Sequence, residues 1–171
     1  MTMRARAVES EVIKTLYGWV AVAYTDRGIR ALTLPRESRE RALRALGRHI
    51  GPSSPGRRRC RELVRDLDRY FGGEPVVFDY SLDLTAGTPF QRRVWSVLRA
   101  IPRGKTWSYQ NVARAVGRPD AARAVGQAVG ANTIPVLIPC HRVVASGGGL
   151  GGYAWGLAWK RRLLRAEGLQ I

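Results

Sequence analysis

Apolar positions alternate with polar ones between residues 12 and 34. Val12, Ile13, Leu16, Val20, Val22 and Tyr24 lead into Asp26-Arg27-Gly28, and Ile29, Leu32 and Leu34 follow. Alternation puts successive side chains on opposite faces of a strand, and Asp-x-Gly between two such runs predicts a hairpin, ended by Pro35. Residues 36–49 predict a helix with Leu43, Leu46 and Ile50 on one side, and Gly51-Pro-Ser-Ser-Pro-Gly56 predicts a loop. Residues 58–71 predict a second helix, because Leu63, Leu67 and Tyr70/Phe71 recur at helical spacing. Val76, Phe78, Tyr80 and Leu82 alternate again, so residues 76–84 predict a strand.

Thr85-Ala-Gly-Thr-Pro89 reads as a linker, and the pattern beyond it is mainly helical. Phe90, Val94, Trp95, Leu98 and Ile101 form one stripe, with Thr88 as N-cap and Pro89 at the first helical position. Pro102-Arg-Gly104 breaks that helix. Ser108 caps a short helix whose Tyr109, Val112, Ala113 and Val116 share a face. Gly117-Arg-Pro119 predicts a tight turn, and Asp120 predicts the start and cap of a further helix reaching about Gly130. Two short helices across a Gly-containing turn predict a helix-turn-helix over about 108–130. The second of them has a buried stripe, Ala121, Val125, Ala128 and Val129, and an almost bare face, Arg123, Gly126, Gln127 and Gly130. A bare face admits either a DNA groove or the tight approach of another helix.

The chain has 171 residues, 45% hydrophobic and 25% charged, which suits a globular protein of one domain or two small ones. No apolar run is long enough to span a bilayer, and the first residues predict no secretory signal. With only Cys60 and Cys140, a disulfide-stapled scaffold is excluded and a cytoplasmic location is expected. The net charge of +16 is uneven: residues 1–85 carry 16 basic and 11 acidic residues, whereas residues 86–171 carry 13 and 2. Such a carboxylate-poor half predicts a polyanionic partner, nucleic acid first.

Several motifs carry little. Gly104-Lys-Thr106 lacks the upstream glycine of a phosphate loop, and Gly147–Gly152 matches a dinucleotide fingerprint only because five of its six residues are glycine. The cysteines and histidines lack the spacing of a zinc site, so no metal is expected. Ile138-Pro-Cys-His-Arg-Val-Val144 is different. A thiolate is the reacting form of cysteine, and adjacent positive charge predicts a lowered thiol pKa at Cys140. His141 is a candidate base acting directly or through a water, and such a base needs an orienting group. In residues 86–171 the carboxylates are Asp120 and Glu167, and with Asp120 assigned to capping, Glu167 remains.

These segments resemble the O6-alkylguanine-DNA alkyltransferase family. The matching stretches are Phe90–Trp95, Ile101–Gly104, Ser108-Tyr109, Ala121–Gly126, Asn132, Ile138–Val144, Gly151–Tyr153, and Lys160 through Leu164 to Glu167. The resemblance implies an α+β protein: a small N-terminal α/β domain of ribonuclease-H-like topology over 1–84, then a mainly helical DNA-binding and alkyl-transfer domain over 85–171. It implies stoichiometric, irreversible transfer of the alkyl group from O6-alkylguanine in double-stranded DNA to Cys140, with O4-alkylthymine as a further lesion. It implies minor-groove binding by a monomer, without cofactor or membrane. Catalysis would fall to Cys140, His141, Glu167 and Tyr109, the last as proton donor to guanine N3. Arg123 would fill the gap left by the flipped base, beside Gly126 and Gln127 on the same helix. Asn132 would brace the reactive loop. The carbonyls of Cys140 and Val143 would receive the guanine amino group, Tyr153, Ala154 and Trp155 would close over the base, and Lys160 would hold that loop.

The residues support this chemistry independently. A soft sulfur displaces an alkyl group from oxygen well, the leaving guanine departs more readily once protonated, and nothing nearby could hydrolyse the thioether. The chain departs from the family pattern twice: Asn132 is followed by Thr133 where proline is usual, and Trp155 replaces a glycine beside the pocket. Cys60 reads as a partly buried helical residue. A non-catalytic helix-turn-helix binder of damaged DNA is the competing reading; it explains the charge but leaves Cys140-His141 without a purpose.

Overall fold

A computed structural model describes residues 8–53 and 58–171. The first seven residues and the end of the loop expected at 51–56 lie outside the described residues. The chain divides into two compact units, residues 1–69 with 76–86 and residues 70–75 with 87–171, and the architecture is α+β.

In the first unit, β1 (Glu9–Thr15), β2 (Gly18–Thr25) and β3 (Gly28–Leu32) form an antiparallel meander in that order. The single predicted hairpin is thus two. Leu16, counted among the alternating apolar residues, stands in the extra turn and is 86% exposed. Thr15 closes that turn, its hydroxyl donating to the Gly18 carbonyl and accepting from the Tyr17 amide. Helix α1 (Arg39–Ala45) begins at Ser38, whose side chain accepts from the Arg41 amide. Its Ala42, with Leu46, packs on Val12, Ala21, Ala23 and Ala31, small side chains that let helix and sheet approach closely. Ile50, expected on the same stripe, is exposed, because a 3-10 turn over Gly47–His49 redirects the chain.

Helix α2 (Arg58–Phe71) buries Leu63, Leu67, Tyr70 and Phe71 as its spacing predicts. Residues 76–84 correct the sequence reading. Their side chains alternate, but they form no strand and meet β3 through one isolated bridge, Ile29 with Leu82. Gly28 permits this approach, since a Cβ there would collide with the Ser81 carbonyl. Asp83 anchors the segment through Thr25 at 2.8 Å and Arg30 at 3.1 Å.

In the second unit, α3 (Pro89–Arg99) starts with a full capping box between Thr88 and Gln91 and buries Val94, Trp95 and Leu98. The Trp95 indole donates to the Ala128 carbonyl at 2.8 Å, tying α3 to α5 (Ala122–Gly130). Helix α4 (Tyr109–Ala115) is capped by Ser108, and Gly117, at φ +73°, turns the chain toward α5. Asp120 does not cap α5: Ala121 occupies that position and no side chain caps the helix. Two-residue strands invisible to periodicity, β4 (Trp107–Ser108) and β5 (Val143–Val144), pair in parallel. This pairing fixes the start of α4 beside the 138–144 segment. Helix α6 (Leu157–Ala166) follows and ends at Glu167.

Candidate active site

Two consecutive three-residue turns aim the cysteine. Val136 has φ +72°, and the Leu137 amide bonds the Pro135 carbonyl, a strained γ-turn for a β-branched residue. Pro139, at φ −79° and ψ 61°, makes the inverse γ-turn, closed by the Cys140 amide on the Ile138 carbonyl at 2.8 Å. Asn132 holds both turns. Its Oδ1 accepts from the Ile134 amide at 2.9 Å, across Thr133, and its Nδ2 donates to the Ile138 carbonyl at 2.9 Å and to Cys140 Sγ at 3.0 Å. The side-chain bracket thus restrains the loop in which proline is replaced by Thr133.

Cys140 opens a 3-10 turn through Arg142 and lines a cavity of about 170 Å³. The other walls are Tyr109, Gly126, Val129, Gly130, Asn132 and residues 152–155. Of the residues singled out by motif, Tyr109, Gly126, Asn132, Tyr153, Ala154 and Trp155 share this cavity with Cys140. The bare face of α5 is not a helix–helix seam. A Cβ at Gly130 would meet nothing within 4 Å, and one at Gly126 only the Tyr109 ring at 3.8 Å. Arg123 and Gln127 are exposed on the same helix and do not line the cavity. Gly151, at φ +67°, passes so close to Tyr109 that a Cβ would lie 3.0 Å from its ring.

The thiol does not have the lowered pKa that its cationic neighbours suggested. Burial pushes it up, and Asn132, Tyr153 and Lys160 only partly offset this. Burial likewise holds the Tyr153 phenol well above its ordinary value and raises Tyr109. Lys160, on α6, is fully buried and donates to the carbonyls of Val143 at 2.6 Å, Leu150 at 2.5 Å and Gly152 at 3.1 Å. It thereby clamps the 150–152 segment to the reactive loop, although burial pulls its own pKa down to about 8. The Val143 carbonyl expected to face the substrate is engaged by Lys160, and Val143 is fully buried and does not line the cavity.

Behind Cys140, His141 Nε2 lies 2.7 Å from Glu167 Oε1, with both side chains fully buried. Its Nδ1 is buried without a hydrogen bond among the described residues. Burial lowers the His141 pKa, more than Glu167 raises it, so the ring is neutral near pH 7. Burial alone would raise Glu167, but hydrogen bonds from His141, Arg142 and Tyr70 hold it well below the carboxylate range.

Two of those partners escaped the sequence reading. Arg142 Nε and Nη2 grip Glu167 at 3.0 and 2.9 Å, and its Nη1 donates to the Ile101 carbonyl at 2.5 Å. Tyr70, on α2, donates to Glu167 Oε1 at 2.6 Å and lies 3.0 Å from His141 Nε2. The available signal was a phenol in an otherwise apolar helical stripe, whose buried hydroxyl needs a partner. Among the described residues, no cluster of three or more histidines, cysteines or carboxylates could hold a metal ion.

The model for the DNA-binding domain of 6-O-methylguanine DNA methyltransferase matches residues 89–169. A methylated-DNA–protein-cysteine methyltransferase of Salmonella typhimurium is 46% identical over 133 residues, 78% of each chain. One from Shigella flexneri is 40% identical over 96% of this chain and 84% of its own. The crystal structure of Mycobacterium tuberculosis OGT in complex with DNA superposes with a TM-score of 0.77 at 39% identity, covering 93% of this chain and 92% of that one.

Proposed function

The chain belongs to the 6-O-methylguanine DNA methyltransferase family and repairs alkylated DNA by direct reversal, and we propose that Cys140 is its alkyl acceptor and that the cavity beside it receives a flipped O6-alkylguanine. The observation that supports this is the placement of Cys140 Sγ in a cavity walled by the bare face of α5, with a buried His141–Glu167 pair behind it.

The raised thiol makes resting Cys140 unreactive, so proton removal accompanies attack. Glu167 accepts a hydrogen bond from Nε2–H of His141, which leaves Nδ1 as the base, and the thiol proton reaches it through a bridging water. Sulfur then bonds to the alkyl carbon as the C–O6 bond breaks, and the electron pair passes into the guanine ring. Tyr109, whose raised pKa keeps it protonated, donates its proton to N3, and the phenolate left behind is reprotonated from solvent as His141 releases the thiol's proton there. The net products are a thioether on Cys140 and unmodified guanine, so each molecule acts once.

DNA docks through α4, the turn and α5 acting as a helix-turn-helix in the minor groove. The glycines let the backbone approach closely, while exposed Arg123 fills the vacated stack and Gln127 lies on the same face. The protein acts as a cytoplasmic monomer in this reading, where the thiol stays reduced. O4-alkylthymine fits the same chemistry. The test is incubation with methylated duplex followed by peptide mass analysis. One methyl group appears on Cys140 and none on Cys60, while Cys140→Ser accepts none yet still binds DNA. Methylation of Cys60 instead, or repair by Cys140→Ser, sinks the proposal.

A further inference from the structure

The relay behind Cys140 includes a phenol from α2, outside the residues that the family model matches. Tyr70 is 2% exposed, and three separate anchors fix it and the residues after it in the second unit. Its hydroxyl bonds Glu167, the Phe71 ring lies 5.9 Å from that of Trp159, and Arg103 Nη2 ties the Gly73 carbonyl at 2.6 Å to the Ala166 carbonyl one residue before Glu167. Core packing alone would be satisfied by phenylalanine. A phenol here loses water on burial and recovers that loss through hydrogen bonding, above all with the Glu167 carboxylate at 2.6 Å.

The consequences follow from where the protons go. Burial, with Glu167 adding to it, pushes the Tyr70 pKa far up, so the hydroxyl always carries its proton. It donates a hydrogen bond to Glu167 Oε1, the same oxygen that faces His141 Nε2. The phenol thus shares Oε1 with the imidazole and spreads its negative charge. The groups facing His141 are Glu167, Tyr70, Arg142, Lys160 and its neighbour Cys140. Of these, Glu167 alone pulls the ring toward imidazolium, and Tyr70 moderates that pull.

We propose that Tyr70 is a positioning residue of the alkyl-transfer relay: its hydroxyl holds Glu167 Oε1 so that His141 stays neutral, with its proton on Nε2 and Nδ1 turned toward the cysteine. This rests on the proposed role of Cys140. Tyr70→Phe keeps the ring and the packing. The exposed Oε1 then draws harder on Nε2–H, and the imidazolium becomes easier to form.

The experiment has two readouts on the full-length chain. The first is NMR titration of the His141 ring without substrate, which does not depend on which residue accepts the alkyl group. The His141 pKa rises in Tyr70→Phe. The second is the pH–rate profile of alkylation by O6-benzylguanine and by methylated duplex. Its acid limb moves to higher pH in step, and the rate at pH 7 falls about tenfold, short of the ~100-fold or more expected on deleting a general base. DNA affinity is unchanged. If Tyr70→Phe leaves both the His141 titration and the profile as in the natural protein, the positioning role is refuted. An equal fall at every pH, with His141 unmoved, marks Tyr70 as packing only and also refutes it. A shifted titration in a protein whose Cys140 is never alkylated refutes the proposed transfer role while leaving the Tyr70–Glu167–His141 coupling established.

Discussion

Cys60 and Cys140 are buried to nearly the same degree, 4% and 5% exposed, and both are free thiols, yet their surroundings differ in kind. Cys60 lies on α2 and shares a cavity of about 210 Å³ with Tyr24, Glu62 and Asp79. Tyr24 also bonds Glu11, and its phenol is pushed up by burial and by Cys60 itself. Cys140 instead has an amide donor at 3.0 Å, an ammonium nearby, and a neutral imidazole backed by a carboxylate. Burial therefore says little about reactivity. What separates the two thiols is whether the neighbours can accept a proton and stabilise the resulting anion.

Removing the relay makes Cys140 more like Cys60, and this is the largest expected effect. Glu167→Gln loses the carboxylate that polarises His141, and alkylation slows by about 100-fold, the lower end of general-base contributions. The same variant changes the acid response. The Glu167 carboxyl is depressed in the folded protein, so its contribution to stability is complete above its ordinary value of 4.5 and is lost as the pH falls toward the depressed value. Denaturant titrations from pH 6 downward show this loss in the natural protein and a flatter profile in Glu167→Gln. A parallel pair of profiles contradicts the assignment.

A second difference is access, since exposed Arg123 stands on the helix that walls the Cys140 cavity. Arg123→Ala slows repair of duplex lesions about tenfold, a modest part of the few kcal/mol that unstacking a base costs, and leaves reaction with the free modified base unchanged. Single-turnover rates on both substrates decide this, and equal losses would remove the finger role. Binding to undamaged duplex also weakens steeply with added salt, because the 13 basic residues of the second half face only 2 acidic ones.

The smallest effect concerns the cavity wall. Trp155 lines the space beside Cys140 where the family usually has glycine. Its indole narrows the room for bulky alkyl groups, and overpacking of this kind costs ~1–3 kcal/mol. Trp155→Gly therefore gains about threefold or more on O6-benzylguanine relative to methylated duplex. A loss on the benzyl substrate alone would make the indole a stacking platform instead.

How far this was legible in the sequence depends on the range of the physics involved. Local signals held: Thr88 and Ser108 cap α3 and α4, Val125, Ala128 and Val129 are buried together, and Gly130 of α5 faces open space. Cys140, His141 and Glu167, which the structure brings together, were readable from one segment and a motif match. Other signals failed, some through local turn and cap chemistry and some through distant partners. Thr15 turned a continuous alternation into two strands, and residues 76–84 alternate without a ladder to join. Asp120 looked like a cap but leaves that position to Ala121. The thiol pKa was misjudged because neighbours in sequence announce charge, whereas burial is set by the whole unit. Tyr70 resembled core for the same reason.

The Tyr70–Glu167 hydrogen bond joins residues 97 positions apart. In kinetic terms, that contact closes a long loop, whose entropy must be spent before any local reward arrives. Helices α3, α4 and α5 can form and pack on contacts much nearer in sequence. The relay is complete only when Tyr70 and Glu167 have met, so a chain with α3, α4 and α5 in place still carries a thiol whose relay is unfinished. For a protein whose nucleophile can be used once, chemical competence is acquired at the end of folding, and partly folded molecules do not squander it.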